Sequence, residues 1–157
     1  MSERFSVYFA APLFNERERA FNARLVHQIE LLGAEVFLPQ RNGALLVDML
    51  SAGVSQQVAE RRVFLQDTEA MARASMAVAV LDGAVVDDGV AFEIGFLFAL
   101  KTRCIGLQTD VRRALPTGNN PMISQGLNGI AGSEEELLTW IKSALDRASC
   151  REASRAC

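Results

Sequence analysis

The sequence predicts an α/β fold in which one parallel sheet of five strands is covered by helices on both faces. Short runs rich in β-branched and aromatic residues alternate along the chain with longer segments whose apolar residues recur every three or four positions. Strands that alternate with helices form a parallel sheet, because each helix returns the chain across one face. The chain has 157 residues and shows no internal repeat or linker, so we expect a single domain. The expected architecture is a three-layer, doubly wound fold of the flavodoxin-like type.

The strands are assigned to short apolar runs that end at glycine, proline or polar residues. They are expected, in chain order, at residues 5–10, 35–38, 76–81, 103–107 and 127–131. The helices are assigned to the longer segments between and after these runs, at residues 16–32, 45–75 in one or two pieces, 90–100, and from 133 onwards. Loops are expected at residues 40–43 and 108–125, and a flexible tail at residues 150–157 after a domain at residues 1–149.

Residues at the ends of these segments support the boundaries. Asn15 is a suitable N-cap for the first helix, and Gly33 is a suitable residue to end it. Gly53 is the expected break in the long helical segment. Ser133, with three glutamates after it, forms a capping-box pattern at the start of the last helix.

Composition and charge exclude several classes of function. Half of the residues are hydrophobic and 22% are charged, as in ordinary globular proteins. The net charge of −3 provides no electrostatic basis for binding a nucleic acid polymer or an anionic membrane. No apolar run reaches the roughly 18–20 residues that span a bilayer, and the first residues do not form a signal peptide. The three cysteines, without a CxxC pair, indicate a cytoplasmic protein without a disulfide framework.

Glu93 is the one charged residue in an otherwise apolar run at residues 90–100. That run predicts a helix that is buried nearly all round, with Glu93 in its first turn. A buried, unpaired carboxylate is costly, so it needs a partner or a function. Asp82, Asp87 and Asp88 lie just before it, in the turn-rich segment that follows the third strand. Because the carboxyl ends of parallel strands meet at one edge of a sheet, we interpret this segment as the active site.

The remaining motifs narrow the chemistry. No G-x-G-x-x-G follows the first strand and no G-x-x-x-x-G-K-[ST] is present, so dinucleotide and P-loop sites are not supported. His27 is the only histidine and is expected on the solvent side of the first helix. We therefore expect no Ser-His or Cys-His pair and no histidine-based metal site. What remains is carboxylate chemistry, in which paired carboxylates act as nucleophile and acid at an acetal-like carbon.

Five sequence blocks together resemble one family of enzymes. They are VYFAAPLF at residues 7–14, VAVLDG at 78–83, DDGVAFEIGFLFAL at 87–100, GLQTDVRR at 106–113 and NNPMI at 119–123. In this order they resemble the nucleoside 2-deoxyribosyltransferases, over most of the chain. The resemblance implies a transfer with retention, in which a glutamate attacks C1′ of a 2′-deoxynucleoside, the base leaves, and a second base takes the deoxyribosyl group. It also implies that no metal or organic cofactor is needed.

The resemblance assigns catalytic roles to four side chains. Glu93 corresponds to the nucleophile, and Tyr8 corresponds to a strand-end tyrosine that orients it. Asp87 and Gly89 belong to a D-x-G element whose aspartate contacts the sugar hydroxyls and the proton network of the site. Asp67 corresponds to an aspartate that protonates the leaving base.

Other correspondences concern the base and a neighbouring subunit. Gln40 stands where the family has a base-contacting residue after the second strand. Asn120 and Met122 correspond to a segment that reaches into the neighbouring subunit's site, where it holds the sugar 5′-hydroxyl and covers the nucleophile. The resemblance therefore implies a homo-oligomer, a hexamer built from dimers, with 2′-deoxynucleosides and free nucleobases as ligands.

Some of the acidic residues also have structural interpretations. Asp82 ends a strand at an Asp-Gly pair, so it either forms a turn or contacts the sugar. Asp87 or Asp88 caps the following helix; we assign the cap to Asp88 and the functional role to Asp87.

Two other functions stay open from the sequence. In one alternative, an enzyme of the same fold uses water instead of a second base to release the sugar from the glutamate. Such an enzyme would be a nucleoside or nucleotide N-glycosidase. Asn120, in place of the serine common in related nucleotide hydrolases, favours an unphosphorylated 5′-hydroxyl. A non-catalytic nucleotide-sensing domain would bind a nucleoside derivative without turnover. The choice between purine and pyrimidine bases is also open.

Overall fold

The computed structural model describes residues 4–113 and 115–155. Its strands are β1 (Ser6–Ala10), β2 (Glu35–Phe37), β3 (Met76–Val80), β4 (Cys104–Leu107) and β5 (Ile130–Ala131). Its helices are α1 (Glu16–Leu31), α2 (Pro39–Asn42), α3 (Leu46–Ser51), α4 (Gln56–Arg73), α5 (Asp88–Ala99), α6 (Pro121–Gly126) and α7 (Glu134–Arg155). None of the helices within these residues is both long enough and apolar enough to cross a membrane.

The strands form one parallel sheet in the order β2-β1-β3-β4-β5. On β1, Tyr8 is paired with Phe37 of β2 on one side and with Ala77 of β3 on the other. The chain order reverses between β1 and β3, so the loops after these strands diverge and open a crevice at the carboxyl edge of the sheet. The predicted fold class is confirmed.

Residues of β1 alternate between the two faces of the sheet. Val7 and Phe9 join a core with α1 and α7, whereas Tyr8 and Ala10 join a second core with α4 and α5. Helices thus cover both faces, which is typical of parallel sheets. The two-residue period directs the side chain of Tyr8 towards α4 and α5.

The ends of α1 follow the predicted capping residues. The Asn15 side chain accepts a hydrogen bond from the Glu18 N–H at 3.0 Å, and the Glu18 carboxylate accepts one from the Asn15 N–H at 3.3 Å. This reciprocal pair is a capping box. Gly33 has a φ of +101°, a left-handed conformation that ends the helix and that glycine adopts without strain.

Two segments predicted as loops contain short helices. Residues 40–42 of the first loop belong to α2, and α6 lies at the end of the second. Both helices begin with a proline, whose restricted φ suits the first helical position. Helices of four and six residues are too short to show an apolar period, so the sequence pattern does not reveal them.

One face of α5 is exposed, contrary to the prediction of a helix that is buried nearly all round. Val90, Ile94 and Leu97 are buried, whereas Phe92 and Phe98 are 51% and 64% exposed. A helix that covers a sheet buries only the stripe that faces the sheet. Because nearly every residue of this helix is apolar, composition alone does not show which stripe that is.

The last helix continues past the predicted end of the domain. Residues 150–155, predicted as part of a flexible tail, lie within α7. The division into a domain at residues 1–149 and a tail at residues 150–157 stays a prediction.

Candidate active site

Glu93 lies on α5 beside the centre of the sheet. α5 begins at Asp88, so Glu93 is in the second turn of the helix, and its predicted place in the first turn is wrong. The Tyr8 hydroxyl donates a hydrogen bond to Glu93 Oε1 at 2.5 Å. The neighbours of Tyr8 on β1 point to the other face of the sheet, so this position of the strand is the one that reaches α5.

The ring of Tyr8 is fixed by packing. It is fully buried and stacks on Phe37 of β2, with the ring centroids 5.7 Å apart and the ring planes at 11°. Burial and the negative charge of Glu93 raise the pKa of Tyr8 above its usual value of 10.0. The hydroxyl therefore keeps its proton at neutral pH and donates it in the hydrogen bond to Glu93.

The pKa of Glu93 is raised to about 7. Burial is the main cause, because the ionised form loses hydration, and the negative charges of Asp67 and Asp87 raise the pKa further. The hydrogen bond from Tyr8 lowers the pKa and so favours the ionised form. Near neutral pH, Glu93 is divided between its two forms, with Oε1 held by Tyr8 and Oε2 accepting no hydrogen bond from the residues that the structure describes.

Asp67 is the second carboxylate of this group. It lies on α4, and burial raises its pKa to about 6. Its negative charge contributes to the raised pKa values of both Tyr8 and Glu93, so the three groups are electrostatically coupled. Carboxyl groups with raised pKa values in a crevice are typical of functional sites.

Two cavities meet at these carboxylates. The larger has a volume of about 320 Å³ and opens between the loops that follow β1 and β2; the smaller, of about 270 Å³, lies between α4 and α5. Asp67, Gly89 and Glu93 line both cavities. The polar side chains described along the larger cavity are the carboxylates of Asp67, Asp87 and Glu93, and its other walls are apolar. This combination of apolar walls and a few polar groups is typical of small-molecule sites.

Asp87 belongs both to the helix cap and to the larger cavity. Its Oδ1 accepts a hydrogen bond from the Val90 N–H at 3.1 Å, and its side chain also lines the cavity. The assignment of the cap to Asp88 is wrong, because Asp88 is already the first residue of α5. A Cβ at Gly89 would lie 3.1 Å from Asp87 Oδ1, so the glycine leaves room for this arrangement.

Gln40 and Asp82 are engaged by neighbouring residues. The Gln40 amide donates to the carbonyl oxygen of Arg19 and accepts from Asn22. Asp82 accepts three hydrogen bonds from residues 109–110, in the loop after β4. Neither side chain is among those that line the two cavities. The bonds of Asp82 join the loop after β3 to the loop after β4. The base contact of Gln40 and both roles that the sequence left open for Asp82 stay predictions.

Asn120 caps α6 and Met122 lies in its first turn, and neither residue lines the two cavities around Glu93. Asn120 accepts a hydrogen bond from the Met122 N–H at 2.9 Å, and the side chain of Met122 is 80% exposed. The resemblance places these two residues in the site of a neighbouring subunit. Their substrate-binding roles stay predictions.

Two amide side chains that the sequence analysis did not single out hold the walls of the larger cavity. Asn22 on α1 is 2% exposed and donates a hydrogen bond to Gln40. Gln66 on α4 accepts from the Ala44 N–H and donates to the Asn42 carbonyl oxygen. A polar residue within the buried stripe of a helix is the signal that could have revealed Asn22. No local pattern indicates Gln66, because its partners are 22 and 24 positions away in the sequence.

Metal-ligating side chains are not clustered in residues 4–113 and 115–155. No group of three or more His, Cys, Asp or Glu residues in this part of the chain is arranged to hold a metal ion. His27 is exposed on α1, as predicted. The ionisable groups that line the larger cavity in this part of the chain are the carboxylates of Asp67, Asp87 and Glu93, and Tyr8 contacts the last of them from the sheet.

The fold and the site define an α/β protein with partly buried carboxylates at the carboxyl edge of a parallel sheet. The sequence model of the family Nucleoside 2-deoxyribosyltransferase matches residues 7–139. The match spans most of the chain, and the chain belongs to this enzyme family, which acts on nucleosides and nucleobases. The resemblance that the sequence blocks indicated is confirmed. Among curated proteins, no sequence matches the chain.

Solved structures share the fold over most of their length. A conserved protein from Enterococcus faecalis V583 is 29% identical with a TM-score of 0.72, and the match covers 91% of this chain and 100% of that chain. A 2-deoxyribosyltransferase from Bacillus psychrosaccharolyticus is 22% identical with a TM-score of 0.70, covering 85% and 90%. A CMP N-glycosidase from Clostridium botulinum is 21% identical with a TM-score of 0.55, covering 89% and 99%. The fold therefore occurs in both a transferase and a hydrolase.

Proposed function

We propose that this protein is a nucleoside 2′-deoxyribosyltransferase, which moves 2-deoxyribose between nucleobases through a covalent intermediate on Glu93. The observation that carries the proposal is that Glu93 lines both cavities while Tyr8 holds its carboxylate from the sheet. Tyr8 holds Oε1 of Glu93, which leaves Oε2 as the attacking atom. Family membership supports the class of substrate.

The proposed reaction consists of two displacements at the anomeric carbon. In the first, Glu93 Oε2 forms a bond to C1′, the bond from C1′ to the base nitrogen breaks, and its electron pair stays on the base. Asp67, protonated at this stage, gives its proton to the departing base. In the second, a nitrogen of an incoming base attacks C1′, the ester bond to Glu93 breaks, and Asp67 takes the proton that the incoming base loses. Two inversions produce overall retention.

Asp87 and Gly89 are proposed to bind the sugar. Oδ1 of Asp87 is used by the cap of α5, and Oδ2 is available to accept a hydrogen bond from a sugar hydroxyl. Gly89 leaves the space beside it open, since it carries no side chain. A carboxylate held by a helix N-terminus keeps its orientation without a second side chain.

The exchange rate is expected to have a narrow maximum between about pH 6 and pH 7. Glu93 must be ionised to attack, and its pKa of about 7 means that its ionised fraction falls as the pH drops below that value. Asp67 must be protonated to act as the acid, and its pKa of about 6 means that its protonated fraction falls as the pH rises above that value. Between the two pKa values these changes offset each other, and the rate falls only outside that interval. Because the two groups interact, the profile reports the pair rather than either residue alone. The slopes of kcat/KM should approach about tenfold per pH unit on both sides. A plateau from about pH 4 to about pH 9, roughly two units beyond the expected limits on both sides, would contradict these roles.

Tyr8→Phe is expected to lower kcat by roughly ten- to a hundredfold while the fold stays intact. Phenylalanine keeps the stacking on Phe37 but no longer donates to Glu93. Because that hydrogen bond lowers the pKa of Glu93, its loss raises this pKa. The upper limit of the pH maximum should then move to higher pH, because the group that must be ionised has the higher of the two pKa values. The kcat and the pH profile of the variant measure both effects. An unchanged upper limit with a rate within about twofold of the parent would show that Tyr8 does not orient the nucleophile.

One incubation distinguishes the transferase from its alternatives. Deoxyinosine is incubated with the protein, with and without free adenine or cytosine, and the products are separated by chromatography. Formation of deoxyadenosine or deoxycytidine supports the transferase. Free deoxyribose alone would indicate an N-glycosidase, for which the Clostridium botulinum enzyme provides a precedent for the fold. Binding of a nucleoside without any turnover would indicate a sensing domain.

Self-association is part of the proposal. The side chains of Phe92, Phe98 and Met122 are between 51% and 80% exposed in the single chain, and burying such apolar area is favourable. The resemblance implies a homohexamer in which Asn120 and Met122 complete a neighbour's site. We place the activity in nucleoside salvage in the cytoplasm, on the basis of the substrates of the family and the cysteine pattern.

A further inference from the structure

One wall of the larger cavity belongs to no long helix or strand. Residues 39–45, which connect β2 to α3, contribute Pro39, Gly43, Ala44 and Leu45 to the lining. We name this segment the β2–α3 wall. The Gly43 N–H donates to the Pro39 carbonyl oxygen at 2.8 Å, and a Cβ at position 43 would lie 2.5 Å from the same oxygen. The turn is therefore too tight for a side chain at position 43.

Gln66 holds this wall from α4. Its Oε1 accepts from the Ala44 N–H at 2.9 Å, and its Nε2 donates to the Asn42 carbonyl oxygen at 2.9 Å. One bond is to the residue before Gly43 and the other to the residue after it. A single side-chain amide therefore bonds one backbone C=O and one backbone N–H of this segment, as a neighbouring β-strand would. Gln66 also precedes Asp67 directly, which means that the helix carrying this carboxylate also sets the position of the wall opposite.

Asn22 holds the same wall from α1. Its amide donates to Gln40 Oε1 at 3.0 Å and to the Pro12 carbonyl oxygen at 2.9 Å, and the side chain is almost fully buried. Pro12 lies in the loop after β1, whose next two residues, Leu13 and Phe14, line the other side of the larger cavity. Asn22 thus ties the two sides of the cavity together. A buried amide with both donor hydrogens bonded holds its partners in a defined geometry.

We propose that Gln66 and Asn22 are positioning residues that set the width of the larger cavity and thereby the selection of nucleobases. The proposal rests on the transferase function proposed above. Neither residue lines the cavity, so both act through the β2–α3 wall. One-ring and two-ring bases differ in width, and a wall that is no longer held changes their relative fit. The Tyr8–Glu93 pair is built on β1 and α5, and the chemical step at Glu93 therefore depends little on the wall.

The test compares Gln66→Met and Asn22→Leu, which remove the hydrogen bonds at similar side-chain volume. Gln56→Met, at the exposed start of α4, is the matched control. For adenine and cytosine as acceptors, we expect KM to rise on the order of tenfold in the two variants, with kcat within about threefold of the parent. The ratio of kcat/KM for adenine to that for cytosine should change by at least about fivefold, while the control keeps the parent's values.

This ratio separates positioning from a purely structural role. Lost stability alone reduces the fraction of active protein, which affects both acceptors equally and leaves the ratio unchanged. A ratio within about twofold of the parent in Gln66→Met overturns the proposal, whether or not Asn22→Leu folds. If the parent itself exchanges no base, the proposed function fails. In that case the wall is tested by binding. Calorimetry measures the dissociation constants of adenine and cytosine for the parent and for Gln66→Met, and the ratio of the two constants is compared between the two proteins by the same criterion.

Discussion

Glu93→Gln is expected to reduce base exchange by at least about a thousandfold while the fold stays intact. Glutamine has nearly the same shape, and its amide oxygen can accept the hydrogen bond from Tyr8. The neutral amide oxygen, however, is a poor nucleophile and does not form the glycosyl ester. The measurement is the rate at which deoxyadenosine forms from deoxyinosine and adenine, with circular dichroism to verify the fold.

Glu69→Gln is the matched control for this loss. Glu69 is an exposed glutamate on α4, two positions beyond Asp67, and its side chain is 65% exposed. Its variant should exchange bases at the parent's rate. Intact-protein mass spectrometry of the parent with a donor nucleoside should show one added deoxyribosyl group, absent from Glu93→Gln. A Glu93→Gln protein that keeps more than a few per cent (about 5% or more) of the activity would refute Glu93 as the nucleophile.

The same substitution, Glu93→Gln, is expected to raise the free energy of unfolding at pH 8 by about 1–3 kcal/mol. The pKa of Glu93 is about 7 in the folded protein, above its usual value of 4.5. The folded state therefore favours the protonated form, and ionisation of Glu93 destabilises it. This destabilisation is absent below about pH 4.5 and grows as the pH rises to about 7, so the glutamine variant should be more stable only at the higher pH.

Urea unfolding of both proteins at pH 8 and at pH 4.5 measures this difference. Glu69→Gln should differ from the parent by less than about 0.5 kcal/mol at either pH, because the side chain is exposed and surface substitutions rarely change the free energy of unfolding by more. Equal stability of the parent and Glu93→Gln at both pH values would show that the carboxylate is not buried as the structure has it. A gain in stability together with a loss of activity is typical of a residue kept for function.

Most of the fold could be predicted because its signals are local. Alternating apolar runs and helical segments, together with Asn15, Gly33 and Gly53 at the helix ends, place the strands and the longer helices within a few residues of their observed bounds. The exceptions are α2 and α6. They are too short for periodicity, and they form because a proline starts each helix and tertiary contacts hold it.

The candidate site could be predicted in part. Glu93 stands out because a charged residue interrupts an apolar run, and that signal needs no knowledge of the fold. The division of roles between Asp87 and Asp88 could not be predicted, since it depends on where the helix begins, and either aspartate could cap it. The hydrogen bonds of the Gln40 side chain could not be predicted either, because its partners lie on α1.

The sequence by itself determined the class of fold, the order of its elements, the family, and the presence of one anomalous acid in an apolar helix. Only the tertiary structure decided that Tyr8 bonds to that acid across 85 positions of sequence, and that Asn22 and Gln66 hold the cavity walls. The physical reason is the range of the interactions. Periodicity and capping act within a few residues, whereas the environment that raises the pKa of Glu93 exists only once α4, α5 and β1 have packed together.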